Sequence, residues 1–196
     1  EGRKRFTVAH ELGHFSLHKQ EIAFRRETLR EIEDPVHEVA DQTTRRMESE
    51  ANAFAAELLM PTDSVTTRLR GVVPAFEAIE ELATDYLVSL TAGGLRLVKA
   101  CDYACALVCT IEGRVRWVVR SAEWSGYFIP VGKPPARDSQ AGAMLAGEAV
   151  EDDYEDCLAN LWAPDHRQGE DAELLEHSRR IYDDCILTLL YDEFAG

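Results

Sequence analysis

Arg5-Phe6-Thr7-Val8-Ala9-His10-Glu11-Leu12-Gly13-His14-Phe15 contains the pattern His-Glu-x-x-His, and how this stretch is read decides the fold around it. Positions i and i+4 of an α-helix lie over one another on one face, so His10 and His14 can offer ring nitrogens to a single ion. Glu11 points about 100° round the helix from His10. That direction suits it poorly as a third ligand and well for reaching a water held on the ion. Zinc acidifies such a water to a pKa of roughly 7, and a neighbouring carboxylate can take the proton as the oxygen attacks a carbonyl. His10 and His14 are therefore candidate metal ligands, and Glu11 is the candidate catalytic base. Phe6, Ala9, Gly13 and Leu17 form an apolar stripe at helical spacing, which predicts a packed helix rather than a solvated one. His18 extends the histidine row by another turn. One straight helix does not easily wrap three ligands round one ion, so His18 reads as an outer-sphere or packing residue.

A catalytic zinc site takes three protein ligands and keeps a fourth position open, so another donor has to come from elsewhere in the chain. Met47 to Pro61 reads as a helix ended by Pro61. At about 100° per residue, Met47, Ala51, Phe54, Ala55, Leu58 and Leu59 share one arc that is expected to be buried. Glu48 falls inside that arc, whereas Glu50 and Glu57 fall outside it. A carboxylate in a packed interface needs a positive partner, and a divalent ion is an economical one. Glu48 is the candidate third ligand, with Glu50 in reserve. An ion pair of Glu48 with Arg45 or Arg46 is the competing reading.

Taken together, the two segments resemble the ImmA/IrrE family of metallopeptidases. Arg5 to His18 is similar to that family's R-F-T-x-A-H-E-L-G-H-x-x-x-H, and Glu48 to Pro61 to its E-x-x-A-N-x-F-A-A-E-L-L-M-P. Ile79 to Ala92 carries a weaker likeness, and beyond about Glu123 the resemblance thins, leaving roughly the first two-thirds covered. The resemblance implies zinc held by His10, His14 and Glu48, with Glu11 as the base. It also implies a substrate class, intracellular helix-turn-helix repressors whose cleavage releases stress-response or mobile-element genes. Two imidazoles and a carboxylate accept Mn2+ or Fe2+ as well. Zincin folds place strands ahead of the motif helix, and these upstream strands are missing where the motif begins almost at residue 1. The chain is accordingly read as a fragment of a longer protein.

A chain of 196 residues with 45% hydrophobic composition suits one compact domain or two small ones. No apolar run approaches the roughly 20 residues that span a bilayer. Cys101, Cys105, Cys109, Cys157 and Cys185 sit mainly in apolar surroundings and read as buried, reduced thiols of a cytoplasmic protein. Acidic residues outnumber basic ones, 36 to 21, for a net charge of -15. Such a surface repels phosphate backbones, so direct nucleic-acid binding is not expected. It attracts basic proteins instead, and a DNA-binding repressor is one.

The expected class is α+β. Zincin-like active-site helices occupy 1–70, a helix-turn-helix-like helical segment 71–103, and a C-terminal α/β region with a small mixed β-sheet 104–196. A polar connector is expected from Lys19 to Arg46, able to lie over the cleft, and Thr62-Asp63-Ser64 offers an N-cap for a short helix. The helix-turn-helix-like pair spans Phe76 to Tyr86 and Ser89 to Ala100. Its second helix carries only Arg96 and Lys99 as cations and is weakened by Gly93-Gly94, which is poor equipment for reading a major groove. Packing against the metal-site helices is the expectation for this pair. Period-two runs predict a hairpin about Gly113, a strand over Tyr127 to Val131, and two more over Glu173 to Arg180 and Cys185 to Tyr191. The function these readings favour is a zinc-dependent endopeptidase acting on a protein. A non-catalytic, metal-stabilised interaction module is the alternative, and a DNA-binding regulator stands third.

Overall fold

The computed structural model of the chain describes residues 2–18, 37–124, 127–164 and 172–195. Two long helices come first, α1 (Gly2–Leu17) and α2 (His37–Leu59). The expected connector is shorter than the sequence suggested at its C-terminal end, because α2 reaches back to His37. No Gly or Pro lies between Pro35 and Pro61 to interrupt the helical ladder. The remainder of that connector, 19–36, lies outside the described residues.

α1 and α2 meet along a seam of small side chains, with Ala9, Ala51 and Ala55 buried beside Met47. The approach depends on Gly13. A Cβ there would stand 3.1 Å from the Cα and carbonyl oxygen of Ala51 and 3.2 Å from Phe54 Cδ1. Because the seam is narrow, residues further round each helix are left outside it. Leu17 and Leu58, expected in packed arcs, are 52% and 51% exposed, and Val8, Leu12 and Phe15 are exposed as well.

Three shorter helices follow, α3 (Thr62–Leu69), α4 (Phe76–Asp85) and α5 (Leu90–Ala100). The expected side-chain cap of α3 is not made by its own first residues, and Pro61 stands at the cap position. The Glu57 carboxylate does the work from the preceding helix, accepting from the Thr62 amide at 2.8 Å and from its hydroxyl at 2.6 Å. Ser89 caps α5 by accepting from the Ala92 amide.

The strands are β1 (Cys105–Ile111), β2 (Arg114–Arg120), β3 (Glu155–Leu158), β4 (Glu173–Tyr182) and β5 (Cys185–Tyr191), with α6 (Gln140–Ala146) and α7 (Ala159–Trp162) between them. The α+β class expected from the sequence holds. The five strands form one sheet in the order β2-β1-β5-β4-β3, and each pairing within it is antiparallel, where a mixed sheet was expected. Tight turns dictate this for two of the pairs. β1 returns into β2 through Glu112-Gly113, both at positive φ, as a two-residue hairpin requires. β4 returns into β5 through Asp183-Asp184. Tyr127–Val131 joins no ladder; Pro130 has no amide to offer, and the Tyr127 carbonyl instead accepts from Trp124 Nε1. β3, unforeseen inside the acidic run, is a short edge strand whose charges face solvent.

One face of the sheet is covered by the helical segment. Phe76, Ile79, Leu82, Leu97 and Val98 share a core with Leu107, Cys109, Leu187 and Leu189. The helix-turn-helix-like pair therefore packs chiefly on the sheet rather than on the metal-site helices. Gly93 and Gly94 make this possible, since a Cβ on the first would meet the Ile79 carbonyl at 2.9 Å and on the second Leu107 Cδ2 at 2.8 Å. Of α5 only Lys99 is exposed, so no face of that helix is free to enter a DNA groove. Contacts to the first helix pair are fewer, and two of them are arginine hydrogen bonds. Arg5 Nη1 donates to the Tyr86 carbonyl at 2.6 Å, and Arg96 Nη2 donates to Glu57 at 2.6 Å. The opposite face of the sheet holds a second core of Ala106, Val108, Ile186 and Leu190 beneath Trp124, Ile129, Ala141 and Trp162. All five cysteines are free and buried, as expected of small core residues. No described helix is long and apolar enough to cross a membrane.

Candidate metal centre

His10 and His14 reach toward α2 from one face of α1, and Glu48 meets them from the first half of α2. His10 Nε2 lies 3.1 Å from His14 Nε2 and 3.3 Å from Glu48 Oε2, while His14 Nε2 lies 3.3 Å from Glu48 Oε1. Among the described residues these three form the one group of histidine, cysteine and carboxylate side chains close enough to share an ion.

Hydrogen-bond partners show how the rings are turned. His10 Nδ1 is 3.0 Å from Asn52 Oδ1, and an amide oxygen only accepts, so Nδ1 donates and Nε2 is the nitrogen that faces Glu48. His18 Nε2 is 2.8 Å from Glu50 Oε2 and donates to it. His14 Nδ1 lies 3.2 Å from His18 Nδ1, which leaves His14 Nε2 facing His10 and Glu48. Two imidazole nitrogens and a carboxylate thus converge on one point, and a shared cation, metal or proton, is what holds such groups together.

The separations fit a metal ion. Bonds of about 2.0–2.1 Å in tetrahedral geometry place neighbouring ligand atoms about 3.3–3.4 Å apart, and the three observed distances of 3.1, 3.3 and 3.3 Å stand close to that edge. The donor set suits a divalent ion of zinc type and leaves one tetrahedral position for water or substrate. Asn52 on one ligand and the His18–Glu50 pair on the other supply the outer hydrogen bonds that fix ring orientation in such sites.

The sequence placed some of these groups for the wrong reason. Glu48 is not in a packed interface; its side chain is 51% exposed at the edge of the helix pair, facing the imidazoles. Glu50 is not a ligand in reserve but the carboxylate partner of His18, which is only 2% exposed, and it also lies 3.7 Å from Arg46 Nε. Glu11 is exposed on α1. Asn52 was missed. It lies one helical turn beyond Glu48 on α2, and that spacing was the available signal.

A cleft of about 990 Å³ opens beside Glu48 and Asn52 and runs along α2 to the flank of α5, with Phe6 of α1 on its other wall. A two-histidine, one-carboxylate group on crossing helices beside an open cleft is an arrangement that metal-dependent hydrolases use. Residues 1–97 match the family model Peptidase_M78, described as the IrrE N-terminal-like domain. Residues 1–97 are thus similar to the ImmA/IrrE family, a family of metallopeptidases. The match ends within α5, so it covers less of the chain than the two-thirds expected from the motifs. No curated protein matches the chain.

Proposed function

We propose that the chain is a zinc-dependent endopeptidase of the cytoplasm whose substrate is a basic DNA-binding protein, a helix-turn-helix repressor, cut in stress-response or mobile-element regulation. The observation that carries this reading is the convergence of two imidazole nitrogens and a carboxylate at 3.1–3.3 Å, close to the spacing of ligand atoms round a tetrahedral ion. His10, His14 and Glu48 hold the ion. Bound there, zinc polarises a carbonyl and acidifies water. Glu11, one position along from His10 and exposed, takes the proton from the attacking water and returns it to the leaving amine. Asn52 and the His18–Glu50 pair keep both rings turned with Nε2 toward the ion. The repressor substrate is supported by the family and by the net charge of -15, which draws in a basic partner and repels DNA.

The test is Glu11→Gln in a cleavage assay with a purified repressor of this type, read by mass spectrometry. The variant keeps its zinc and loses turnover by roughly 10²–10⁴-fold. Undiminished cleavage would remove Glu11 from the mechanism. If wild type binds repressor with zinc present yet never cuts it, the chain is instead the non-catalytic, metal-fastened module.

A further inference from the structure

We infer that Cys101 and Cys105, where α5 meets β1, form an oxidisable pair that closes to a disulfide when the protein meets hydrogen peroxide. This goes beyond the peptidase reading and does not depend on it, since neither residue belongs to the metal group or lines the cleft. Two pairs of sulfurs meet in the core under the helical segment. Cys101 Sγ lies 3.2 Å from Cys105 Sγ, and Cys109 Sγ lies 3.7 Å from Cys185 Sγ.

The backbone separates the two pairs. A disulfide draws its sulfurs to about 2.05 Å and needs Cβ atoms about 3.5–4.5 Å apart. Cys109 stands opposite Leu187 and Cys185 opposite Ile111, so these two are diagonal neighbours across the β1–β5 ladder. Diagonal neighbours are about 7–8 Å apart, and a ladder resists the backbone shift that would bring them together. Cys101 and Cys105 are freer to close. Cys101 directly follows α5, and 101–104 belong to no helix or strand, so the segment between the sulfurs can adjust as they approach. Cys105 is the anchored member, its amide donating to the Ser121 hydroxyl and its carbonyl accepting from the Ser121 amide.

The chemistry of the thiols points the same way. The thiolate is the form that attacks peroxide. The Cys105 thiol, donating to the Cys101 sulfur, holds the Cys101 pKa below its ordinary value. Burial instead raises Cys157 and Cys185 and pushes Cys109 up to about 12. Cys101 is also the outer member of its pair, 7% exposed and followed by the exposed Asp102, whereas Cys105 is enclosed. In the first step the Cys101 thiolate displaces hydroxide from hydrogen peroxide and becomes a sulfenic acid. The Cys105 sulfur then attacks the Cys101 sulfur. The S–S bond forms, the S–O bond breaks, and the hydroxyl leaves with the Cys105 proton as water. Two thiols are oxidised, one peroxide is reduced, and the end of α5 is tied to the start of β1.

The test treats the full chain with a molar excess of hydrogen peroxide near neutral pH, blocks the remaining thiols with iodoacetamide in denaturant, and reads a tryptic digest by mass spectrometry. Cleavage after Lys99 and Arg114 puts Cys101, Cys105 and Cys109 in one peptide, and cleavage after Arg180 puts Cys185 in another. The expected product is peptide 100–114 with two hydrogens lost, Cys109 blocked, and fragment ions that place the link between Cys101 and Cys105. Dithiothreitol added before blocking restores three blocked cysteines. Cys101→Ser, with an unchanged circular dichroism spectrum, loses the linked product, and Cys109→Ser keeps it. Three blocked cysteines after peroxide, a sulfinic or sulfonic acid at Cys101 without a link, or a main product joining peptide 100–114 to peptide 181–196 overturns the inference.

Discussion

Glu48 in the first helix pair and Glu176 on β4 are two carboxylates with polar neighbours, and they differ in what those neighbours offer. Glu48 faces two imidazole nitrogens at 3.3 Å, at the mouth of an open cleft. Glu176 is fully buried beneath the second core and is met only by donors. Trp162 Nε1 and the Ala141 amide reach it at 3.0 Å, and the Ser178 hydroxyl at 3.1 Å. The network closes through Thr188, which bonds Ser178 at 2.7 Å. Burial raises the Glu176 pKa, with these donors working against the shift. The first cluster has the make-up and spacing of an ion site, and the second is closed by its own donors. Donor and acceptor accounting thus separates a binding site from an internal brace where residue type alone does not.

The largest effect expected from this contrast falls on the completed network. Glu176→Ala leaves the Trp162 indole and the Ala141 amide buried without that acceptor, and each orphaned donor costs about 1–3 kcal/mol. A loss of at least about 2 kcal/mol in urea denaturation is the expected outcome. The zinc affinity of the fraction that remains folded should not change. A matching fall in zinc affinity would break the contrast, because the two clusters would then be coupled.

Next in size is the outer support of His14. His18→Gln and Glu50→Gln should each weaken zinc binding by about 10–100-fold in competition with a chromogenic chelator, the range typical of such partners. Melting of the metal-free protein serves as the control and should move little for Glu50→Gln, since Glu50 is half exposed. Unchanged zinc affinity in both variants would reduce the pair to packing.

A smaller effect tests the backbone seam on which the site stands. Gly13→Ala gains about 1 kcal/mol of helix propensity, but its Cβ presses on Ala51 at 3.1 Å and forces the helices apart by a few tenths of an ångström. Stability should therefore change by less than about 1 kcal/mol, while zinc affinity falls severalfold because ligands from both helices are displaced. Zinc binding at wild-type strength would show that the ligand geometry tolerates a wider seam.

These tests bear unevenly on what the sequence could disclose. His10 and His14 were legible because their relation is internal to one helix. Glu48 was reached by projecting α2 onto a wheel, although the premise was burial and the residue is half exposed. The projection found the direction of the side chain and misjudged how narrow the seam would be. The pairing of His18 with Glu50 depends on how α1 and α2 cross, which no spacing within either helix encodes. Glu176 is one residue of a strand whose location was expected, but its donors include groups on α6, α7 and β4 itself, brought together by topology alone. Gly93 and Gly94 looked like defects in a helix; packed on Ile79 and Leu107, they are what lets α5 lie flat against its neighbours.

The smallest expected effect returns to a third carboxylate, Glu57, which like Glu176 is surrounded by donors but lies at the surface. Its hydrogen bonds from the Thr62 side chain and amide, and then from Arg96, pull its pKa from an ordinary 4.5 to about 2. A depressed carboxyl stabilises the fold above its unfolded pKa and loses that contribution as pH falls, so its share of stability drains away between about pH 4.5 and pH 2. Glu176 has the opposite sign. Its raised pKa gives a contribution that is whole at low pH and is lost as pH rises through the folded-state value. Melting temperature measured from pH 5 down to pH 3 should therefore fall less steeply in Glu57→Gln than in wild type, with the difference small because the group is exposed. Added salt should shrink only the part due to Arg96, since the two Thr62 bonds are short-range. An acid limb of identical slope in both proteins would mean that donors around an exposed carboxylate contribute nothing to holding α2 against α3, and that burial rather than donor count makes the Glu176 network a brace.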